Sequence, residues 1–161
     1  MADIEVKIGE IVVAEGRDTI LASGIGSCVV ITIYDPRLKM GAMAHAMLPS
    51  RDGVGNPIKE GGRHGENGIK DARYVDTAIN EMLKKMENRG AKREDLEAKI
   101  VGGANMFSSF ESDIGRDNVL SAKEKLKKEG LNKAGECVGG SQGRSVEFSV
   151  GSGIVTVKTK F

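Results

Sequence analysis

Two residues of this sequence, Cys28 and His45, are of the types that together cleave amide and ester bonds. A free thiol has a pKa of about 8.5, so only a few per cent is thiolate at neutral pH. A neighbouring imidazole takes the proton, stabilises the thiolate as imidazolium, and then protonates a leaving ammonia or amine. Attack on a carbonyl also creates an oxyanion, which requires preorganised donors. The segment Ser23-Gly24-Ile25-Gly26-Ser27-Cys28 offers such donors: backbone N–H groups at Gly24, Gly26, Ser27 and Cys28 with little side-chain bulk around them. One such donor typically contributes about 3 kcal/mol in the transition state.

The pair must be brought together by a hairpin. Residues 29–34 (Val, Val, Ile, Thr, Ile, Tyr) form the strongest predicted strand, Asp35-Pro36-Arg37 reads as a turn, and residues 40–48 return. A two-residue turn centred on Pro36 and Arg37 pairs positions whose numbers sum to 73. That register sets Cys28 directly opposite His45, with Cβ atoms roughly 4.5–5.5 Å apart. A slip of one residue would put them on opposite faces, and Met40-Gly41 leaves room for a bulge or a longer loop.

Around this hairpin, residues 4–6 and 11–14 are expected to form an opening hairpin about Gly9, and residues 19–22 a further strand. Residues 50–68 hold several glycines and Pro57 without periodicity and read as a long surface loop. Ile69, Ala72, Val75, Ile79, Met82, Leu83 and Met86 recur at helical spacing, with Gly90 as a stop. Residues 98–101 suggest a short strand, a second helix is expected from about Asp117 to Gly130, and residues 137–161 read as strands turning at Gly151-Ser152-Gly153. The expected class is α+β, a layered α/β sandwich of mostly antiparallel, mixed strands flanked by two main helices, rather than a βαβ repeat. No linker is visible, so residues 1–161 are read as a single domain.

Composition narrows the function. Lys and Arg number 24 against 23 Asp and Glu, aromatics are 4%, and Trp is absent, which argues against a nucleic-acid partner. The longest apolar run is far short of a membrane span and no signal-peptide pattern is visible, so membrane insertion is not expected. Two cysteines without an export signal suggest a cytoplasmic protein with free thiols. Two histidines and no Cys-x-x-Cys make a metal site an unfavoured reading. His64 reads as a solvated residue of the long loop, and Phe107 as a core position or a contact for a partner. Gly102-Gly103 and Gly139-Gly140 lack the spacing of a phosphate loop and are read as turns or close-packing sites. The lysines at 123, 125, 127 and 128 alternate with Glu124 and Glu129 as on an exposed helix face. A cysteine beside a strand is ordinarily a small buried hydrophobe, so Cys28 and Cys137 both carry that alternative.

Gly24-Ile25-Gly26-Ser27-Cys28, Tyr34-Asp35-Pro36 and Ala44-His45-Ala46-Met47-Leu48-Pro49 resemble the signature of the CheD family, the chemoreceptor glutamine deamidases. Tyr74-Val75-Asp76-Thr77, Ile100-Val101-Gly102-Gly103-Ala104-Asn105-Met106-Phe107, Ile114-Gly115-Arg116-Asp117-Asn118 and Gly143-Arg144 extend the resemblance in order across nearly the whole chain. It implies a sandwich related to papain-like and toxin deamidases, and hydrolysis of receptor glutamines to glutamate and ammonia, with some methylesterase activity. Cys28 would be the nucleophile, His45 the base and a thioester the intermediate, without metal or organic cofactor. The cytoplasmic region of methyl-accepting chemoreceptors would be the substrate, and a CheC-type phosphatase the regulator. A thiol esterase or amidase on another substrate, and a non-catalytic regulator binding that phosphatase, are the alternatives. In one place the sequence departs: the family's third active-site residue is a threonine six positions before the cysteine, where this chain has Ala22. Ser23 or Thr19 is expected to supply the missing hydroxyl, or the enzyme to be slower. Cys137 stands where the family usually carries an acidic residue; a redox disulfide with Cys28 is the alternative to a structural thiol.

Overall fold

A computed structural model describes residues 1–50, 71–106 and 113–159. All but the first residue of the loop expected over 50–68, including His64, lies outside the described residues, as does Phe107. In chain order the elements are β1 (Asp3–Glu5), β2 (Ile11–Glu15), β3 (Thr19–Ile25), β4 (Val29–Asp35), β5 (Met40–Ala46), α1 (Val75–Asn88), β6 (Glu97–Gly102), α2 (Ile114–Lys128), β7 (Asn132–Val138), β8 (Arg144–Ser149) and β9 (Ile154–Thr159).

The strands form two sheets, one ordered β1-β3-β8-β9 and the other β2-β5-β4-β6-β7. The five-stranded sheet is the middle layer. Every residue of β4 and β5 is buried, as expected of strands covered on both faces. Val29, Ile31 and Ile33 pack with Ala42, Ala44 and Ala46 against the two helices. Val30, Tyr34 and Met43 face the other way, into a second core shared with Ile20, Ile25 and Phe148 of the four-stranded sheet. The expected α+β sandwich is present, with both helices on one face of it.

The helices follow their apolar spacing. In α1, Val75, Ala78, Ile79, Met82, Leu83 and Met86 are the buried face. α2 begins three residues before the expected Asp117 because the Asp113 carboxylate accepts the Arg116 N–H at 2.9 Å and caps the helix there. The opening hairpin is not formed: β1 runs parallel to β3, while β2 joins the other sheet beside β5. One parallel crossover, β6-α2-β7, is also present in an otherwise mainly antiparallel topology.

The central hairpin differs from expectation by a shift of two. Asp35 pairs with Met40 and Val30 with His45, so partner numbers sum to 75 rather than 73. The cause is the Asp35 side chain: its Oδ1 accepts the N–H of Arg37 at 2.9 Å and of Leu38 at 3.1 Å, winding the chain into a longer loop. Lys39 closes that loop at φ 55°. Because the shift is even, side chains keep their faces.

Asp35→Ala removes both acceptor contacts from a fully buried position. It should lower the unfolding free energy by about 1–2 kcal/mol, read as an earlier urea midpoint. An unchanged midpoint would mean that Asp35 is not what sets the loop.

Candidate active site

Gly26, Ser27 and Cys28 form the turn in which the chain leaves β3 in one sheet and enters β4 in the other. All three carbonyls of this turn are held. The Ala104 N–H donates to the Gly26 carbonyl at 2.9 Å, and the Gly103 N–H to the Cys28 carbonyl at 2.8 Å. Between them, the Asn118 side-chain amide on α2 donates to the Ser27 carbonyl at 2.9 Å. Its second hydrogen bond reaches the Met47 carbonyl at 3.1 Å, two residues past His45.

This approach is too close for side chains. A Cβ at Gly102 would stand 2.3 Å from the Cys28 carbonyl oxygen, and one at Gly103 2.2 Å from Val119 on α2. Both glycines also adopt positive φ, 118° and 70°. The pair is a close-packing device, as the missing phosphate-loop spacing suggested. Behind it Arg144, nearly fully buried, donates to the carbonyls of Gly102 at 3.3 Å and Gly139 at 2.8 Å.

His45 lies on β5 with its ring between the sheets, only 3% exposed. Its Nδ1 is 3.4 Å from the Val6 carbonyl oxygen. A carbonyl only accepts, so Nδ1 carries the proton and Nε2 presents its lone pair. That Nε2 is buried and has no hydrogen-bond partner among the described residues.

Val30 is the residue directly across from His45, and Cys28 comes two positions before it, just beyond the last pair of the ladder; the strand's alternation, continued that far, would put it on the His45 face. Cys28 and His45 are therefore diagonal rather than direct neighbours, at a Cα separation of roughly 7–8 Å in ladder geometry. Both groups are neutral at rest. Burial pushes the half-buried Cys28 thiol above its ordinary range, partly offset by its own backbone N–H. Burial likewise pulls the His45 imidazole below 6.5, partly offset by the Val6 carbonyl.

The comparisons with known proteins converge. A family model described as CheD chemotactic sensory transduction matches residues 47–159. A Thermotoga maritima protein named chemoreceptor glutamine deamidase CheD is 39% identical over 94% of this chain and 88% of its own. Proteins of Pyrococcus abyssi and Pyrococcus horikoshii, each named probable chemoreceptor glutamine deamidase CheD, are 40% and 38% identical. These cover 97% and 98% of this chain, and 91% and 93% of their own lengths. The chain belongs to the CheD family.

In this CheD chain Ala22 stands where the resemblance implies a threonine. Ala22 points into the inter-sheet core and is 2% exposed. Ser23 is exposed on the opposite side of β3, the outer surface of the sheet, beside Leu21 and Glu147. Thr19 sits at the far end of β3, roughly 20 Å along the strand from Ile25. Neither hydroxyl is brought to the Cys28 turn. Cys137 pairs with Val101, which pairs with Val30, so it lies two strands from Val30, roughly 10 Å away. Bridging it to Cys28 would require the backbone to move. Both thiols are free, and Cys137 packs against the inter-sheet core. Asn118 and Arg144 are the site residues that residue-type reasoning passed over; only the family motifs contained them.

The lowered imidazole of His45 has a consequence for stability. Between its folded pKa and the unfolded value near 6.5, the unfolded chain binds more protons, so stability falls as pH falls through that window. Wild type should lose stability relative to His45→Gln as pH drops below about 6.5, by at most about 1.4 kcal/mol per pH unit. Urea unfolding at several pH values measures this, and a pH-independent difference would mean that His45 is not held neutral.

Proposed function

We propose that this CheD chain hydrolyses glutamine side chains of chemoreceptors to glutamate, with Cys28 as nucleophile and His45 as base. The observation that carries the reading is the orientation of His45. Its Nδ1 is committed to the Val6 carbonyl, and its buried Nε2 has no hydrogen-bond partner among the described residues; the alternation of β4, continued to Cys28, would bring the thiol to that side. A base held in one tautomer with an uncommitted lone pair suits acyl transfer by a nearby cysteine.

The Cys28 sulfur attacks the glutamine carboxamide carbon as Nε2 takes the thiol proton. Because both groups rest neutral, the thiolate forms with the attack rather than standing ready as an ion pair. The tetrahedral oxyanion is held by the N–H groups of Gly26, Ser27 and Cys28, in a turn whose carbonyls are already engaged elsewhere. As the C–N bond breaks, His45 returns the proton and ammonia leaves, so that Cys28 carries a thioester. Water, deprotonated by His45, hydrolyses the thioester to glutamate and restores the thiol.

The relatives named as chemoreceptor glutamine deamidases support the substrate. The reading places the reaction in the cytoplasm, on the cytoplasmic region of methyl-accepting receptors, with a CheC-type phosphatase as regulator. No helix among the described residues is long and apolar enough to cross a membrane. A second reading, a non-catalytic regulator, draws on Ala22, whose methyl neither donates nor accepts a hydrogen bond where the family motif has a hydroxyl.

Incubation with a receptor cytoplasmic fragment, followed by peptide mass spectrometry, should show amide-to-acid conversion at glutamines. Cys28→Ala should reduce it at least about a thousandfold. Turnover of small activated esters without receptor conversion would point instead to a thiol esterase or amidase on another substrate. Absence of any thiol-dependent turnover, with phosphatase binding retained, would leave the regulator.

A further inference from the structure

We infer that Asn118 is the positioning residue of this site: its side-chain amide fastens the turn carrying Cys28 to the strand end carrying His45. The inference rests on Cys28 and His45 being the reacting pair. The β4–β5 ladder ends at Val29 and Ala46, so Cys28 lies just beyond its last pair, and Met47 beyond it on the other strand. Past that point no backbone hydrogen bond among the described residues joins the two segments directly. Asn118 takes the place of the missing rung, with both bonds of its Nδ2 spent on the carbonyls of Ser27 and Met47.

These are the only hydrogen bonds among the described residues that join the two segments beyond the ladder. Each of them spans a long stretch of sequence, with separations of 91 and 71 residues. Asn118 is fully buried, and its Oδ1 has no partner among the described residues. A buried acceptor without a partner costs stability, so packing alone would favour an apolar side chain of similar volume. The amide is explained by what its two donors hold.

The platform behind it is stiff. α2 is tied to the same region by Ser121, whose hydroxyl donates to the Pro49 carbonyl at 2.6 Å. Arg93 links Glu87 on α1 to Glu129 just past the end of α2. Gly103 lets the end of β6 press directly on Val119, one residue along the helix. Asn118 thus transmits the position of a packed helix to both halves of the reacting pair.

The test follows alkylation of Cys28 by iodoacetamide across pH, at temperatures where each variant is folded, in a Cys137→Ser background. In wild type, His45→Ala should alter the pH profile of Cys28 alkylation. In Asn118→Ala, His45→Ala should produce no further change, and receptor deamidation should fall about a hundredfold in kcat with KM nearly unchanged. Ser121→Ala, which loosens the same helix without touching Ser27 or Met47, should retain the wild-type profile. If Asn118→Ala does not fold, Asn118→Asp serves. Its buried carboxyl regains one donor when protonated, so its alkylation and turnover relative to wild type should rise as pH falls. A wild-type profile and kcat in folded Asn118→Ala, or a pH-independent ratio for Asn118→Asp, would overturn the inference. A wild type in which His45→Ala changes nothing would overturn the pairing of Cys28 with His45, and the inference with it.

Discussion

The site depends on the capture of three consecutive carbonyls in the turn from Gly26 to Cys28. A short glycine-containing turn has many conformations available, and fixing each residue costs conformational entropy of order 1–2 kcal/mol. Here Ala104, Asn118 and Gly103 hold the carbonyls of Gly26, Ser27 and Cys28 in turn, drawing on the segment just after β6 and on α2. The cysteine is thereby set by the layer architecture rather than by its own loop. Gly102 and Gly103 make this possible, since any side chain there would collide with the Cys28 carbonyl or with Val119.

The same architecture sets the electrostatics. His45 sits between two sheets, where burial disfavours imidazolium, and the Val6 carbonyl selects the tautomer. The thiol is half-buried and also kept neutral. Arg144, buried behind Gly102 with carbonyl partners, adds a fixed positive charge to the scaffold of the turn without pairing with a carboxylate among the described residues.

Much of this was legible because local periodicity survives in the fold. The β-branched run of β4 and the apolar face of α1 are where their spacing placed them. The expected register is off by two, and an even shift preserves the alternation along β4 and β5. What escaped was set by side chains acting on backbone or by distant pairing. Asp35 lengthened the hairpin loop, Asp113 started α2 early, and β1 and β2 found partners in different sheets instead of each other. Asn118 gave no sign in its local pattern, because its partners lie 91 and 71 residues away. Ser23 does not stand in for a hydroxyl at Ala22 because it follows the strand's alternation to the outer surface.

In the proposed reaction His45 waits as a neutral base whose Nε2 takes the Cys28 proton. Nitrogen-15 NMR of the histidine rings addresses it directly, and with only His45 and His64 in the chain a single His64→Gln variant assigns the signals. The account predicts an Nδ1-protonated neutral ring that titrates below 6.5, with an Nε2 signal that moves when Cys28 is replaced by Ala. A ring that titrates above 6.5, or one protonated on Nε2 and indifferent to the loss of the thiol, would contradict it.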